Sequence, residues 1–179
     1  ERILTARRMG FKVHLWCFSD DSRWYDFIPF VGDGRVVDAP DEVHLRHIAL
    51  CCELFGDLAD VICIGLEVDE YFASVSKQAA LVAKAKGLVT VPIGIHYTSW
   101  RRVADAATVG ADVFYTQHEF ASTPAVVQSE VARCIEVLQP LGIAVWAGEY
   151  DRDSDSLEAA AKGQAAMGVS GCAGTGTGR

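Results

Sequence analysis

Apolar residues in this chain gather into short continuous runs rather than alternating or heptad patterns. Five of them, 11–18 (FKVHLWCF), 61–67 (VICIGLE), 88–96 (LVTVPIGIH), 111–118 (ADVFYTQH) and 142–149 (GIAVWAGE), are bounded by glycine or polar turn residues. Runs of this length without a polar face read as strands buried on both sides, as in a parallel sheet. A shorter run at 169–173 makes a sixth strand. Between the runs the spacing becomes helical. Asp41 can cap a helix reaching about Phe55, with Val43, Ile48, Leu50 and Leu54 on its apolar side. Ser74 or Ser76 opens another through Lys86, closed by Gly87. Further helices are expected over 100–108, from a Thr123 cap and Pro124 to Leu138, and from Ser154 or Ser156 to Met167. Residues 19–39, with Asp20, Asp21, Arg23, Trp24 and Tyr25, read as a long loop of the kind that usually carries function.

Strict strand–helix alternation with a repeat of roughly 30 residues marks right-handed parallel β-α units. Two architectures satisfy it. A doubly wound sheet would carry a glycine-rich phosphate loop after an early strand, but the first run passes into Ser19-Asp20-Asp21 and no strand is followed by such a loop. The runs instead share polar or aromatic residues towards their carboxyl ends: His14 and Trp16, Glu67, His96 and Tyr97, Tyr115 and His118, Trp146 and Glu149. A ring of such ends is what the top face of a (β/α)8 barrel presents. The expectation is an α/β chain forming a partial (β/α)8 TIM barrel over 1–173, with a flexible Gly/Thr tail at 174–179.

Composition narrows the function. With 179 residues, half of them hydrophobic, the chain can bury the core of one domain. A net charge of −8 and the lack of a basic stripe argue against a nucleic-acid partner. Arg7-Arg8 and Arg101-Arg102 are the only paired bases and read as solvated helix faces. No apolar run has the length of a membrane span, and no signal peptide is visible. The opening 1–8 reads as the end of a helix, so the amino terminus is expected to be cut from a longer chain. The six cysteines, Cys17, Cys51, Cys52, Cys63, Cys134 and Cys172, form no Cys-x-x-Cys pair. They read as reduced core thiols, which lean towards a reducing compartment such as the cytoplasm.

The candidate chemistry lies in Glu67 and Glu149, each ending an apolar run. Two carboxylates across a barrel mouth suit glycoside cleavage: one must be protonated to assist the leaving oxygen, the other ionised to attack carbon or activate water. Trp16, Tyr97, Trp100, Trp146 and Tyr150 could stack on sugar faces. His14, His96, Tyr115 and His118 are further candidate substrate contacts. Trp146, three residues before Glu149, is expected on the opposite strand face, packed under a helix. No His-x-His or Glu-x-x-His spacing supports a metal, and no cofactor is expected.

On these residues the chain resembles clan A glycoside hydrolases. Ile64-Gly65-Leu66-Glu67 is similar to the context of the acid/base glutamate that ends their fourth strand. Gly148-Glu149-Tyr150 resembles that of the nucleophile ending the seventh, and Phe114-Tyr115-Thr116-Gln117-His118 resembles the sixth, where a His or Tyr supports the nucleophile. The resemblance makes the six visible strands numbers 3 to 8, so further domains or chains of a larger protein would complete the barrel. It implies retaining hydrolysis of a glycosidic bond in an oligo- or polysaccharide, with Glu149 as nucleophile, held ionised by His118 or Tyr115, and Glu67 as acid/base. Three features depart from the pattern. Leu66 stands where the family has Asn, Asp69-Glu70 offers Glu70 as an alternative acid/base, and the last strand lacks the family's Trp. The alternative function is a catalytically inactive barrel serving as a structural or carbohydrate-binding module.

Overall fold

The structure is a computed structural model that describes residues 1–18, 38–118 and 123–149. Most of the expected loop at 19–39, Tyr150, the helix expected from Ser154 or Ser156, the strand at 169–173 and the tail lie outside the described residues. In chain order the elements are α1 (Arg2–Arg8), β1 (His14–Phe18), α2 (Asp41–Phe55), β2 (Val61–Gly65), α3 (Val68–Tyr71) and α4 (Val75–Lys86). β3 (Ile93–Tyr97), a 3-10 turn (Trp100–Arg102), α5 (Val103–Ala106), β4 (Val113–Gln117), α6 (Pro124–Leu138), a second 3-10 turn (Gln139–Leu141) and β5 (Ala144–Glu149) follow.

The strands are shorter than the apolar runs that announce them. β3 begins only at Ile93, just past Pro92, which has no N–H to give a ladder. The run ending at Glu67 leaves the sheet at Gly65 and turns at once into α3. Ser74 and Thr123 cap α4 and α6, accepting from the Lys77 and Val126 amides. Asp41 is not a cap: Pro40 holds that position, and the Asp41 carboxylate reaches Lys77 Nζ at 2.7 Å, tying α2 to α4.

The five strands among the described residues are all parallel and pair in chain order, β1-β2-β3-β4-β5. A doubly wound sheet must reverse its order at a switch point, whereas a barrel never does. The sheet is therefore an arc of a (β/α)8 barrel. Its helix-facing side joins Ile62, Ile64, Ile93, Ile95, Tyr97 and Phe114 to Ile48, Leu81, Val82, Val131 and Leu138 in one core. The other side carries a small cluster from strands alone: Val61, Cys63, Val113 and Tyr115, with Trp16, Ala144 and Trp146 against it. That side faces the barrel axis.

Only one stripe of α2 can meet the sheet. His44, Ile48 and Cys52, spaced four apart, take that place and are buried. Leu50 and Leu54, expected on the same side as Ile48, lie about half a turn away and are 41% and 56% exposed. Two glycines permit close approaches between strands. A Cβ at Gly65 would sit 2.8 Å from Phe18 Cβ, and one at Gly94 would sit 2.5 Å from Tyr115 Cε2. Gly94 thus opens the axis-facing space that the Tyr115 ring fills. Among the described residues, no helix is long and apolar enough to cross a membrane.

Candidate active site

Glu67 stands two residues beyond β2 in a left-handed conformation, φ 50° and ψ 42°, the only such non-glycine residue described. A glutamate in that region is strained by roughly 1–2 kcal/mol, so its surroundings must hold it there. His96 supplies one restraint, accepting the Glu67 backbone N–H on Nδ1 at 2.9 Å. Because Nδ1 accepts, the ring proton is on Nε2. Asp69 supplies another on the next turn: its Oδ1 accepts the Thr98 amide at 2.8 Å, docking α3 against the end of β3. Burial raises the Asp69 carboxyl above its usual range despite that bond.

Glu149 closes β5, where the ladder is irregular. Tyr115 pairs with Trp146 and Thr116 with Ala147, but Gln117 pairs with Glu149, so Gly148 is an extra residue on β5. This bulge changes the parity of everything after it. Trp146 and position 149, three apart, both come into register with residues of one face of β4, Tyr115 and Gln117. The expectation that Trp146 packs under a helix is thereby corrected. Its ring lies 4.5 Å from that of His14 and 6.0 Å from that of Tyr115, on the axis side.

The axis-facing side brings together His14, Trp16, His96, Tyr115 and Trp146. Trp16 meets His96 edge-on at 5.4 Å and Tyr115 at 5.0 Å. The Tyr115 hydroxyl hydrogen-bonds His14 Nδ1 at 2.6 Å, and burial pushes the phenol well above its usual range, so it stays protonated. His14, expected near a carboxyl end, is the first residue of β1 and registers with the first residue of β2, at the amino end of the barrel. Burial lowers the His96 ring to about 3, with nearby His118 adding to the effect, so His96 is neutral. Two buried polar atoms here have no hydrogen-bond partner, His96 Nε2 and Gln117 Oε1. His96 meets the Glu67 amide through its other nitrogen, and Gln117 pairs with position 149 in the ladder. Buried polar groups are nearly always paired, so an unpaired donor and an unpaired acceptor at the strand ends stand out. Gln117 is absent from the candidates read from sequence; its two-residue step from Tyr115 is the signal that would have found it.

Two other candidates lie on the helix side. Tyr97 is fully buried, donates its hydroxyl to Gln78 Oε1 of α4, and has its ring against Phe114 and under the Arg102 guanidinium. His118 joins Thr116 Oγ1 and Glu130 Oε2 of α6, each at 2.7 Å. Burial holds His118 below its usual range although Glu130 pulls the other way. The reason in both cases is parity: 97 follows inward-facing 96, and 118 follows 117, so each points away from the axis. Expected sugar contact by Tyr97, and support of the nucleophile by His118, do not fit those positions. Glu70 lies exposed on α3, its amide donating to the Glu67 carbonyl at 2.9 Å. Among the described residues, no group of three or more His, Cys, Asp or Glu could hold a metal ion.

No protein-family model matches the chain, and no curated protein matches it in sequence. Solved structures do match its fold. A GH113 β-1,4-mannanase superposes with a TM-score of 0.68 at 12% identity, over 96% of this chain and 65% of that one. The endo-1,4-β-D-mannanase of Thermotoga petrophila gives 0.67 at 10% identity, over 96% and 66%. The endoglucanase of Pseudomonas stutzeri gives 0.66 at 17% identity, over 98% and 64%. The fold is therefore that of the (β/α)8 barrels of these enzymes, and the chain spans slightly less than two thirds of each of them. Identities this low speak for fold, while chemistry resides in the site.

Proposed function

We propose that this chain carries the two catalytic carboxylates of a retaining glycoside hydrolase acting on an oligo- or polysaccharide. The observation that supports it best is the placement of Glu67 just beyond the carboxyl end of β2 and of Glu149 as the last residue of β5, three strands apart on one arc. The backbone departs from regularity at both places. Glu67 is left-handed and tied to His96, and Glu149 is brought by the bulge into the register of Gln117.

In this reading Glu149, ionised, attacks the anomeric carbon while Glu67 gives its proton to the departing glycosidic oxygen. The covalent glycosyl ester is then opened by water, whose proton passes to the Glu67 carboxylate, restoring both groups. The His96 N–H and the Gln117 carbonyl oxygen bind sugar hydroxyls, and the Trp16 and Trp146 rings offer apolar faces to a pyranose.

The mannanase and endoglucanase neighbours make β-1,4-mannan and glucans the first substrates to try, beside aryl glycosides. Glu149→Gln is expected to abolish turnover of all of them. Glu67→Gln should lose on the order of 10²–10⁴-fold on polysaccharide. Its loss in the first chemical step should be much smaller on an aryl glycoside whose leaving group needs no proton. Equal activity of parent and variants would sink the assignment. A second reading rests on Leu66, which offers no amide where clan A enzymes have Asn. If the parent binds these polysaccharides without cleaving them, the barrel is a carbohydrate-binding module.

A further inference from the structure

The carboxyl end of β3 grips the segment from Glu67 to Phe72 at three consecutive positions. His96 takes the Glu67 N–H on Nδ1 at 2.9 Å, and two residues on, Thr98 gives its own N–H to Asp69 Oδ1 at 2.8 Å. Tyr97, between them and pointing the other way, donates to Gln78 Oε1, and Gln78 Nε2 donates to the Phe72 carbonyl oxygen at 2.6 Å. Residues 67 and 69 are thus held by 96 and 98, and the far end of α3 is closed through 97. Arg102 lies across the middle. Its Nη1 donates to the Asp69 carbonyl oxygen at 3.2 Å and stands 3.8 Å from Asp69 Oδ2. Asp105 Oδ2 holds the same guanidinium from its other side, at 2.9 Å from Nε and 2.8 Å from Nη2.

These restraints cross at Asp69, whose side chain is only 4% exposed. A carboxylate so placed is costly unless its oxygens are used, and here one meets the Thr98 amide and the other faces Arg102. Removing it would leave the Thr98 N–H without its partner and α3 without its tie to the sheet. Between the tied residues 67 and 69 lies only Val68, itself fully buried. Little backbone is left through which Glu67 could relax from its left-handed conformation to an ordinary one.

We propose that Asp69 is a positioning residue for Glu67, a role that rests on the acid/base reading of that glutamate. Through α3 it keeps the backbone in the turn from which the Glu67 carboxyl reaches the departing oxygen. Asp69 acts on the direction in which the Glu67 side chain leaves the strand end, and takes no part in the proton transfer itself. Without it the turn opens, and the carboxyl moves by more than proton transfer tolerates.

The test uses the full chain and two β-mannobiosides, or two β-cellobiosides, that carry a dinitrophenyl or a methylphenyl leaving group. Their kcat/KM reports the step that breaks the glycosidic bond. Dinitrophenolate departs without a proton, whereas methylphenolate needs one from Glu67. Asp69→Ala is expected to lose on the order of 10–100-fold on the methylphenyl glycoside and less than about threefold on the dinitrophenyl one. A protein that is merely less well folded loses equally on both. Asp69→Asn keeps an acceptor for the Thr98 amide and should recover most of the loss. Independently of turnover, hydrogen exchange at the Glu67 amide should quicken about tenfold in Asp69→Ala while amides of the β3–β4 ladder keep their rates. Equal losses on the two glycosides, no recovery in Asp69→Asn, or unchanged exchange at Glu67 would each overturn the proposal. Glu67→Gln, run beside these variants, tells two failures apart. If it depends on the leaving group and Asp69→Ala does not, the positioning role alone falls. If it shows no such dependence, or the parent cleaves neither glycoside, the acid/base reading falls and the positioning role with it.

Discussion

The charge state of His96 provides the sharpest test of how the mouth is built. The ring is fully buried, has an unpaired Nε2, and accepts the Glu67 amide on Nδ1. Burial lowers it from 6.5 to about 3. The folded state therefore refuses a proton that the unfolded chain accepts once pH drops below 6.5. The stability tied to neutral His96 is complete above that value and is lost progressively down to about 3. The span of 6.5 − 3, about 3.5 units, corresponds to about 4–5 kcal/mol in all. At about pH 4.5 the loss is already about 2–3 kcal/mol, a shift of roughly 1–2 M in a urea midpoint. Asn is the informative replacement, because its Oδ1 can take the place of Nδ1 as acceptor yet cannot titrate. His96→Asn gives up ring contact with Trp16, which lies 5.4 Å away, and should be less stable than the parent by about 1–2 kcal/mol at neutral pH. Between pH 7 and about 4.5 the parent should then lose about 2–3 kcal/mol more than the variant, all other titrating groups being shared. Parallel loss in the two proteins would refute a buried, neutral His96 and with it this account of how Glu67 is held.

Gly94→Ala puts a methyl 2.5 Å from Tyr115 Cε2 in a ring cluster that has no room to give, and should lower stability by about 1–3 kcal/mol. Thermal unfolding checks it, and Tyr115→Leu in the same chain should recover part of the loss; an unchanged melting temperature would mean that the tyrosine is not packed there. Glu130→Ala leaves buried His118 Nδ1 without its partner at 2.7 Å and should cost about 1–3 kcal/mol. Because Glu130 raises the His118 pKa against burial, its removal should lower that value further. An NMR titration in which His118 moves up instead would contradict the pairing.

Much of this architecture is legible in one dimension. β5 ends at Glu149 as its apolar run does, α6 starts at Pro124 behind Thr123, and α4 behind Ser74. Strand order follows from strict alternation once no glycine-rich loop demands a switch point. Legibility ends at facing. Strands buried on both sides are apolar on both sides, so their sequence does not say which parity looks to the axis. Tyr97 and His118 therefore read as well as His96 and Tyr115 for the mouth. In α2 the stripes of Val43, Leu50 and Leu54 and of His44, Ile48 and Cys52 compete, and only docking on the sheet selects the second.

The sequence by itself determined that this chain is a series of parallel β-α units with glutamates ending two of its apolar runs, since run length, caps and breakers are local properties. Only the tertiary structure decided which neighbours those glutamates have. The extra residue at Gly148, the left-handed turn at Glu67 and its bond to His96 come from pairing between strands distant in sequence. Parity at a strand end is set by the partner across the ladder, and one inserted residue reverses it.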